Sequence, residues 1–96
     1  MKIELKKFGT TLVSRQDGKE AYAAFLPLLN SISPDESIEV DFDGVITLTP
    51  SWADEFIMSV YKRYAGRLMF VNVENASVKA TVDFLEKINH VKLPRK

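Results

Sequence analysis

Hydrophobic and polar positions alternate near the start of the chain. Ile3 and Leu5 stand between charged residues, which gives the two-residue period of a strand with one buried face. Residues 10–13, Thr-Thr-Leu-Val, follow Phe8 and Gly9 and favour extended backbone. The pattern predicts two short strands, the second being the hairpin partner of the first across the Phe8-Gly9 turn.

A helical period replaces this alternation after residue 14. Ser14 is a favoured N-cap, and Asp17 three residues later completes a pair similar to a capping box. The predicted inward face carries Ala21, Ala24, Phe25 and Leu28. Pro27 is expected to kink or end the helix because its ring clashes with the preceding turn and it has no N–H. Residues 30–37 contain several serines with proline and aspartate, which predicts a loop.

The middle of the chain predicts a strand followed by a well-marked helix start. Residues 38–42, Ile-Glu-Val-Asp-Phe, alternate between apolar and acidic side chains, as a strand does. Thr49 is a favoured cap, and Pro50 suits the first helical position, where a missing N–H has no cost. The predicted buried stripe of this helix is Ala53, Phe56, Ile57, Val60 and Tyr64. Gly66 is expected to end the helix.

The last third of the chain predicts one more strand and one more helix. Residues 68–71, Leu-Met-Phe-Val, form a continuous apolar run that is typical of a strand covered on both faces. Asn75 or Ser77 can cap a final helix with an inward face of Val78, Val82, Leu85 and Ile88. This order of elements predicts an α/β fold, a small mixed and largely parallel four-stranded sheet with helices packed across it, in a single domain over residues 1–96.

Composition removes several classes of function. The 13 basic and 13 acidic residues cancel, so no nucleic-acid partner is expected. The absence of cysteine excludes disulfides, thiolate metal sites and a cysteine nucleophile, and it fits a reducing cytoplasm. The first residues do not resemble a signal peptide, and the longest nearly apolar run, residues 21–29, is far shorter than the roughly 20 residues that cross a bilayer. A cytoplasmic protein without membrane contact is expected.

Residues 40–45, Val-Asp-Phe-Asp-Gly-Val, resemble the first motif of haloacid-dehalogenase-type phosphatases. In that family the first aspartate, here Asp41, attacks phosphorus, and the second, here Asp43, handles protons. The resemblance also implies a magnesium-binding carboxylate pair in a long core after the motif. A chain of 96 residues is too short after Gly44 for such a core, and no acidic pair follows Lys79. We therefore expect no catalysis, and the simpler interpretation of Asp43-Gly44 is a turn.

A second resemblance rests on three stretches: Ser14-Arg15, residues 40–45, and residues 48–56, Leu-Thr-Pro-Ser-Trp-Ala-Asp-Glu-Phe. Together they resemble the STAS-like domain family, small bacterial and phage domains, over nearly the whole chain. That family is similar to the STAS domain of anti-sigma-factor antagonists and sulfate-transporter tails, which has a mixed sheet backed by helices. The resemblance implies a protein-binding regulatory module, in many relatives one that works against an ATPase-like kinase.

The resemblance also bears on phosphorylation. The antagonists accept phosphate on the first serine of an Asp-Ser-Ser-Gly sequence at a strand-to-helix corner. Aligned without gaps, that sequence falls on residues 49–52, where Pro50 replaces the phosphorylated serine, so the switch is not implied here. Ser51 is the remaining candidate phosphosite. The helix dipole would favour its added charge and Asp54 and Glu55 would oppose it; the alternative is that Ser51 completes the helix cap.

The same corner is the predicted binding surface. Its members are Arg15, Thr49, Ser51, Trp52, Asp54 and Glu55. Trp52 has two interpretations, an exposed interface anchor or a ring packed against the preceding loop. Arg15 lies at a helix start, where positive charge is unfavourable, and this predicts a salt bridge with Asp41, Asp43 or Asp54.

The remaining candidates are weak. His90 has no cysteine or second histidine beside it, so no metal or other cofactor is expected, and residues 92–96 are predicted to be a solvated basic tail. The sequence as a whole predicts a non-catalytic protein-binding regulatory module whose partner is an ATPase-like kinase or a host regulatory complex. Three alternatives stay open: a phosphoryl-transfer enzyme using Asp41 and Asp43, a nucleotide-binding module at the helix start near Pro50, and a phage-encoded inhibitor of a host complex.

Overall fold

Five short strands and three α-helices form the fold in the computed structural model, which describes residues 1–96. The strands are β1 (Lys2–Glu4), β2 (Thr11–Leu12), β3 (Ile38–Asp41), β4 (Thr47–Leu48) and β5 (Leu68–Val71). The helices are α1 (Arg15–Asn30), α2 (Pro50–Tyr64) and α3 (Ala76–Asn89), with short 3₁₀ helices at Leu5–Phe8 and Ala65–Arg67. The predicted α/β class is confirmed.

The strands form two sheets, not the single four-stranded sheet that the sequence predicts. β1, β3 and β5 pair in that order, β2 pairs with β4, and every pairing is parallel, so neither sheet is mixed. The predicted hairpin is wrong because Leu5–Phe8 turns into a 3₁₀ helix directly after β1. Leu5 is fully buried there, and Gly9 takes a positive φ of 135° before β2 begins, a conformation that glycine adopts without strain.

Alternate residues of the three-stranded sheet point into one apolar core. The inward positions are Ile3, Ile38, Val40, Leu68 and Phe70, all of them buried. The outward row runs through the paired positions Lys2, Glu39 and Met69, of which Lys2 and Met69 are exposed. The prediction that Leu68–Val71 is covered on both faces is therefore wrong. Buried and exposed residues therefore alternate along β5, a pattern more usual in antiparallel sheets, because the outer face of this parallel sheet is not covered at Met69.

Helix α2 follows its sequence signals closely. The Thr49 side chain accepts a hydrogen bond from the Trp52 N–H, Pro50 occupies the first helical position, and all five residues of the predicted stripe are buried. The helix ends at Tyr64, and Gly66 lies in the 3₁₀ helix that follows. No helix of the chain is both long enough and apolar enough to span a bilayer.

The inward faces of α1 and α3 differ in part from the predicted ones. Ser14 caps α1 as predicted, but the helix continues past Pro27 to Asn30. Leu28 is 53% exposed and Leu29 is buried, because the face that meets the core follows positions 18, 22, 25 and 29. In α3 the residues Val78, Val82 and Leu85 are buried as predicted, whereas Ile88 is exposed.

The basic segment at residues 92–96 packs on the fold, and the prediction of a solvated tail is wrong. Leu93 is buried, and the Phe70 N–H donates to the Pro94 carbonyl at 2.7 Å. The Lys96 N–H in turn donates to the Phe70 carbonyl at 2.8 Å, which places the segment parallel to β5. Arg95 reaches carboxylates of α3, with 2.7 Å between its Nη2 and Glu86 Oε1. Backbone bonding at the β5 edge and one buried leucine thus hold the segment in place.

Candidate functional site

Two helix starts lie side by side at one end of the two-stranded sheet. β2 and β4 are paired in parallel through Leu12 and Leu48, and each strand leads into a helix within three residues. The helices then run in the same direction, since Arg15 contacts Asp54 near their starts and the Tyr64 hydroxyl donates to the Leu29 carbonyl near their ends, at 3.2 Å. We call residues 13–17 and 49–55 the helix corner.

Thr49 joins the elements that meet at the helix corner. Its N–H donates to the Leu12 carbonyl at 3.0 Å, and its hydroxyl donates to the Val13 carbonyl at 2.7 Å. The same hydroxyl accepts the Trp52 N–H at 3.5 Å, so it caps α2. Thr49 therefore holds the two helix starts together. Its hydroxyl already donates and accepts hydrogen bonds within the fold, so it has little remaining capacity to bind a partner.

Arg15 is paired with two carboxylates of α2. Its Nη1 lies 3.0 Å from Asp54 Oδ2 and 3.0 Å from Glu55 Oε1. The hydrogen bonds to Asp54 and then to Glu55 raise the pKa of the Arg15 guanidinium. These contacts confirm the predicted salt bridge with Asp54, and they offset the placement of a cation at the positive end of α1.

Trp52 is a buried member of the helix corner, and its interpretation as an exposed anchor is wrong. Its side chain is 1% exposed. The indole stacks on Phe56 with ring centroids 5.0 Å apart, and Phe8 lies 6.0 Å away on another side. The ring faces inward because position 52 lies one helical turn before Phe56, on the stripe that α2 buries.

The N-terminus of α2 has few free donors. Pro50 has no N–H, and the N–H groups of Trp52 and Ala53 are bonded to the side chain and carbonyl of Thr49. This leaves the N–H of Ser51 as the one donor of the first turn without such a bond. A phosphate normally uses several backbone donors at a helix start, and here the half-buried Ser51 would supply one.

Asp41 and Asp43 occupy different environments. Asp41 is 6% exposed, and it accepts hydrogen bonds from the Asp43 N–H at 2.9 Å and from Asn72 Nδ2 at 2.8 Å. Lys2 Nζ lies 3.3 Å from its second carboxylate oxygen. Asp43 is exposed and begins the predicted turn, in which Gly44 has a positive φ of 86°. Both oxygens of Asp41 are thus bonded within the fold, and a nucleophilic role would require those bonds to break.

Sequence reasoning missed Asn72 as a partner of Asp41. Asn72 directly follows β5 and takes a positive φ of 59°. β3 and β5 are parallel neighbours, so their carboxyl ends meet at one edge of the sheet. An asparagine directly after a strand was the available signal, because it tolerates the left-handed conformation that turns its amide toward Asp41.

Asp41 is predicted to stabilise the fold at neutral pH. Burial raises the pKa of Asp41, but the bonds from Asn72, the Asp43 N–H and Lys2 outweigh it and lower the pKa below its ordinary value. A lowered folded-state pKa adds stability above the unfolded value of about 3.9, and this stability is lost as the pH falls toward the folded pKa. We expect Asp41→Asn to lose about 1–2 kcal/mol of unfolding free energy at pH 7 and to lose less than wild type on acidification.

Urea unfolding at pH 7 and pH 3 measures this effect. Asp35→Asn is the matched control, because Asp35 is exposed and forms no salt bridge, and this variant should lose as much stability between pH 7 and pH 3 as wild type does. The pKa values of Glu36, bonded by the N-terminal amine, and of Asp83, bonded by Arg95, are also lowered and will leave some pH dependence in every variant. An equal fall in wild type and Asp41→Asn would contradict the role given to Asp41.

The chain belongs to the family described as STAS-like domain of unknown function (DUF4325), whose model matches residues 17–78. The matched segment runs from the first turn of α1 to the first turn of α3 and includes the α2 part of the helix corner. It leaves out β1, the 3₁₀ helix at Leu5–Phe8 and β2. No curated protein and no solved structure gives a significant match to the chain.

Proposed function

We propose that the protein is a non-catalytic, cytoplasmic regulatory module that binds a protein partner through the helix corner. The observation that carries the proposal is Val13, an apolar residue that is 43% exposed and lies two residues before Arg15, which pairs with Asp54 and Glu55. An apolar centre with a charged rim is the usual anatomy of a protein interface. Thr49 fixes the backbone of Val13, so this surface would bind with little ordering cost.

The charge around the corner favours a basic partner surface. Asp54 and Glu55 share one cation, Arg15, and Asp17 and Glu20 on α1 have no ion pair. Local negative charge of this kind speeds association with a basic surface and disfavours an acidic one. The partner class implied by the STAS resemblance, an ATPase-like kinase, is the one we propose. Phosphate on Ser51 would add to the same negative surface and weaken such a contact.

Affinity capture with a matched pair of variants tests the proposal. Val13→Asp alters the helix corner, and Leu28→Asp places the same charge at another exposed apolar position, 53% against 43% exposed, near the other end of α1. Tagged wild type and both variants are used to capture proteins from a lysate of the source organism. We expect one protein to be retained by wild type and Leu28→Asp and reduced by about tenfold or more with Val13→Asp, as for an interface hot spot.

Circular dichroism of each variant confirms that the fold is intact before the comparison is made. Equal retention by Val13→Asp and wild type would exclude the helix corner as the interface. Loss with Leu28→Asp alone would move the interface to the C-terminal end of α1.

A further inference from the structure

Residues 92–96 lie beside β5 in the manner of an added strand, and we call them the strap. The Phe70 N–H donates to the Pro94 carbonyl at 2.7 Å and the Lys96 N–H donates to the Phe70 carbonyl at 2.8 Å, which is the bonding of a parallel strand. Leu93 is 2% exposed and belongs to the hydrophobic core. The strap therefore covers an edge of β5 that would otherwise present unpaired backbone groups.

One carboxylate of α3 contacts two features of the strap. Glu86 Oε2 accepts a hydrogen bond from the Leu93 N–H at 2.7 Å, and Glu86 Oε1 accepts one from Arg95 Nη2 at 2.7 Å. Asp83, three residues earlier on α3, also pairs with Arg95. Hydrogen bonds to ionised groups are stronger than neutral ones, so Glu86 fixes the spacing between a buried leucine and an arginine two positions later.

The surface that holds the strap can be described without the strap itself. It consists of the Phe70 backbone, the carboxylates of Asp83 and Glu86, and the core position that Leu93 fills, and we call it the β5–α3 groove. Three of the five strap residues are basic, which complements these carboxylates. Both carboxylates and the strap follow residues 17–78, so the family match gives no information about this groove.

The contacts of the strap are few and local. One buried leucine, two backbone bonds to β5 and the bonds to Glu86 and Asp83 offset the entropy cost of ordering five residues. A segment held in this way opens before the whole domain unfolds, and binding elements are drawn from such segments. An opened strap leaves a parallel sheet edge, an apolar core position and two carboxylates available to another chain.

We propose that the β5–α3 groove binds an extended peptide segment of a partner protein in place of the strap. The segment lies parallel to β5, places an apolar side chain in the position of Leu93, and carries an arginine two positions later for Glu86 and Asp83. Addition of a strand to a sheet edge is a common mode of peptide recognition, in which backbone bonds supply affinity and side-chain positions supply specificity. The inference goes beyond the helix corner, because no residue belongs to both surfaces.

Native-state hydrogen exchange of the wild-type protein tests the opening of the strap. The Phe70 N–H is bonded to the strap, whereas the Phe42 N–H donates to the Val71 carbonyl at 3.1 Å. Both phenylalanines are buried, so they form a matched pair. We expect a protection factor at least about tenfold lower for Phe70, because local opening of the strap exposes that amide alone. Equal protection would show that the strap leaves only when the domain unfolds, and would overturn the proposal.

Peptide titration tests binding to the groove. The probe is the acetylated and amidated peptide Val-Lys-Leu-Pro-Arg-Lys, the sequence of residues 91–96. The released variant is the full chain with Leu93→Asp and Arg95→Glu, which favours an empty groove because the new charges are costly to bury beside carboxylates. NMR spectra follow the backbone amides of Phe70 and Glu86. We expect saturable shifts in the released variant and binding at least about tenfold weaker to wild type, whose linked strap competes at high effective concentration.

Absence of saturable shifts in a folded released variant would overturn the proposal. Circular dichroism shows whether that variant is folded. If Leu93→Asp unfolds the chain, the titration is made with Arg95→Glu alone, which removes only partly exposed ion pairs. This variant should bind the peptide at least about threefold more tightly than wild type, because the strap loses its charged contacts. Binding equal to that of wild type would contradict competition by the strap.

Substitutions in the peptide and in the groove then locate the contacts. Peptides carrying Leu93→Ser or Arg95→Glu should each bind the released variant at least about tenfold more weakly. Glu86→Gln in the released variant should weaken binding by about five- to tenfold, the range for loss of a charged hydrogen-bond partner. The control is Glu20→Gln, an exposed glutamate of α1 outside every salt bridge, which should leave the affinity unchanged. Equal weakening by both glutamine variants would show that overall charge attracts the peptide, and the groove would be rejected.

Sedimentation separates the two sources of a matching segment, another protein and a second copy of this chain. We expect wild type to stay monomeric, because its own strap fills the groove. A wild-type dimer that the released variant does not form would show exchange of straps between two copies, and would overturn the assignment to a different protein. The capture experiment with Val13→Asp does not involve the groove, so the groove and the helix corner succeed or fail separately.

Discussion

Replacing Trp52 by alanine is expected to lower the free energy of unfolding by about 3–5 kcal/mol, the range for loss of a large aromatic side chain from a core. The indole is 1% exposed and contacts an aromatic cluster that includes Phe8 and Phe56. Collapse of the surroundings cannot fill the space, because Phe8 is held by a 3₁₀ helix and Phe56 by α2. Domains of this size are stable by roughly 5–15 kcal/mol, so the variant would lose a large share of its stability.

Urea unfolding followed by far-ultraviolet circular dichroism measures this loss, since the variant no longer has a tryptophan to follow by fluorescence. Ile46→Ala is the control, because Ile46 is a large apolar residue that is 64% exposed, and its change should stay within about 0.5 kcal/mol. A Trp52→Ala variant as stable as the control would mean that the ring is not packed as described.

The same result decides how Trp52 variants are interpreted in binding experiments. A partner lost from Trp52→Ala would not locate an interface, because the substitution disturbs the core beneath the helix corner before it changes any exposed atom. Val13→Asp alters the exposed surface instead, which is why it serves as the binding variant. In the helix corner, variants of buried residues thus test stability, and only variants of exposed residues test binding.

Helix α2 could be predicted from the sequence because its signals are local. Thr49 and Pro50 mark the start, and a stripe with helical spacing marks the buried face. The same spacing predicts that Trp52 is buried, because Trp52 precedes Phe56 by four residues and Val60 by eight and so lies on the buried stripe. The interpretation as an exposed anchor was based on the polar neighbours of Trp52 in sequence, but the position of a residue around the helix decides whether it is buried.

The strand pairing could not be predicted because it depends on contacts distant in sequence. β2 and β4 are two residues each and pair with residues 36 positions away, so their own patterns contain no information about the partner. The residues at 92–96 look like a free basic tail, yet Leu93 and the bonds to Phe70 fix them beside β5.

Gly18→Ala is expected to destabilise the protein by about 1–3 kcal/mol, although alanine is the better helix former. In an open helix the change would stabilise by up to about 1 kcal/mol. Here the new Cβ would lie 2.6 Å from the Trp52 carbonyl oxygen and 3.1 Å from the Trp52 Cα. Those atoms are backbone and cannot rotate away, so α1 and α2 would have to move apart along the packing that builds the helix corner.

Gly66→Ala provides the matched control, because a Cβ there meets no atom within 4 Å. It should leave the free energy of unfolding unchanged or raise it by up to about 1 kcal/mol, through a less flexible unfolded chain. Urea unfolding of both variants separates the effect of close helix packing from the general effect of replacing glycine. Equal stability of Gly18→Ala and Gly66→Ala would show that the two helices do not approach as closely as the Gly18 contact requires.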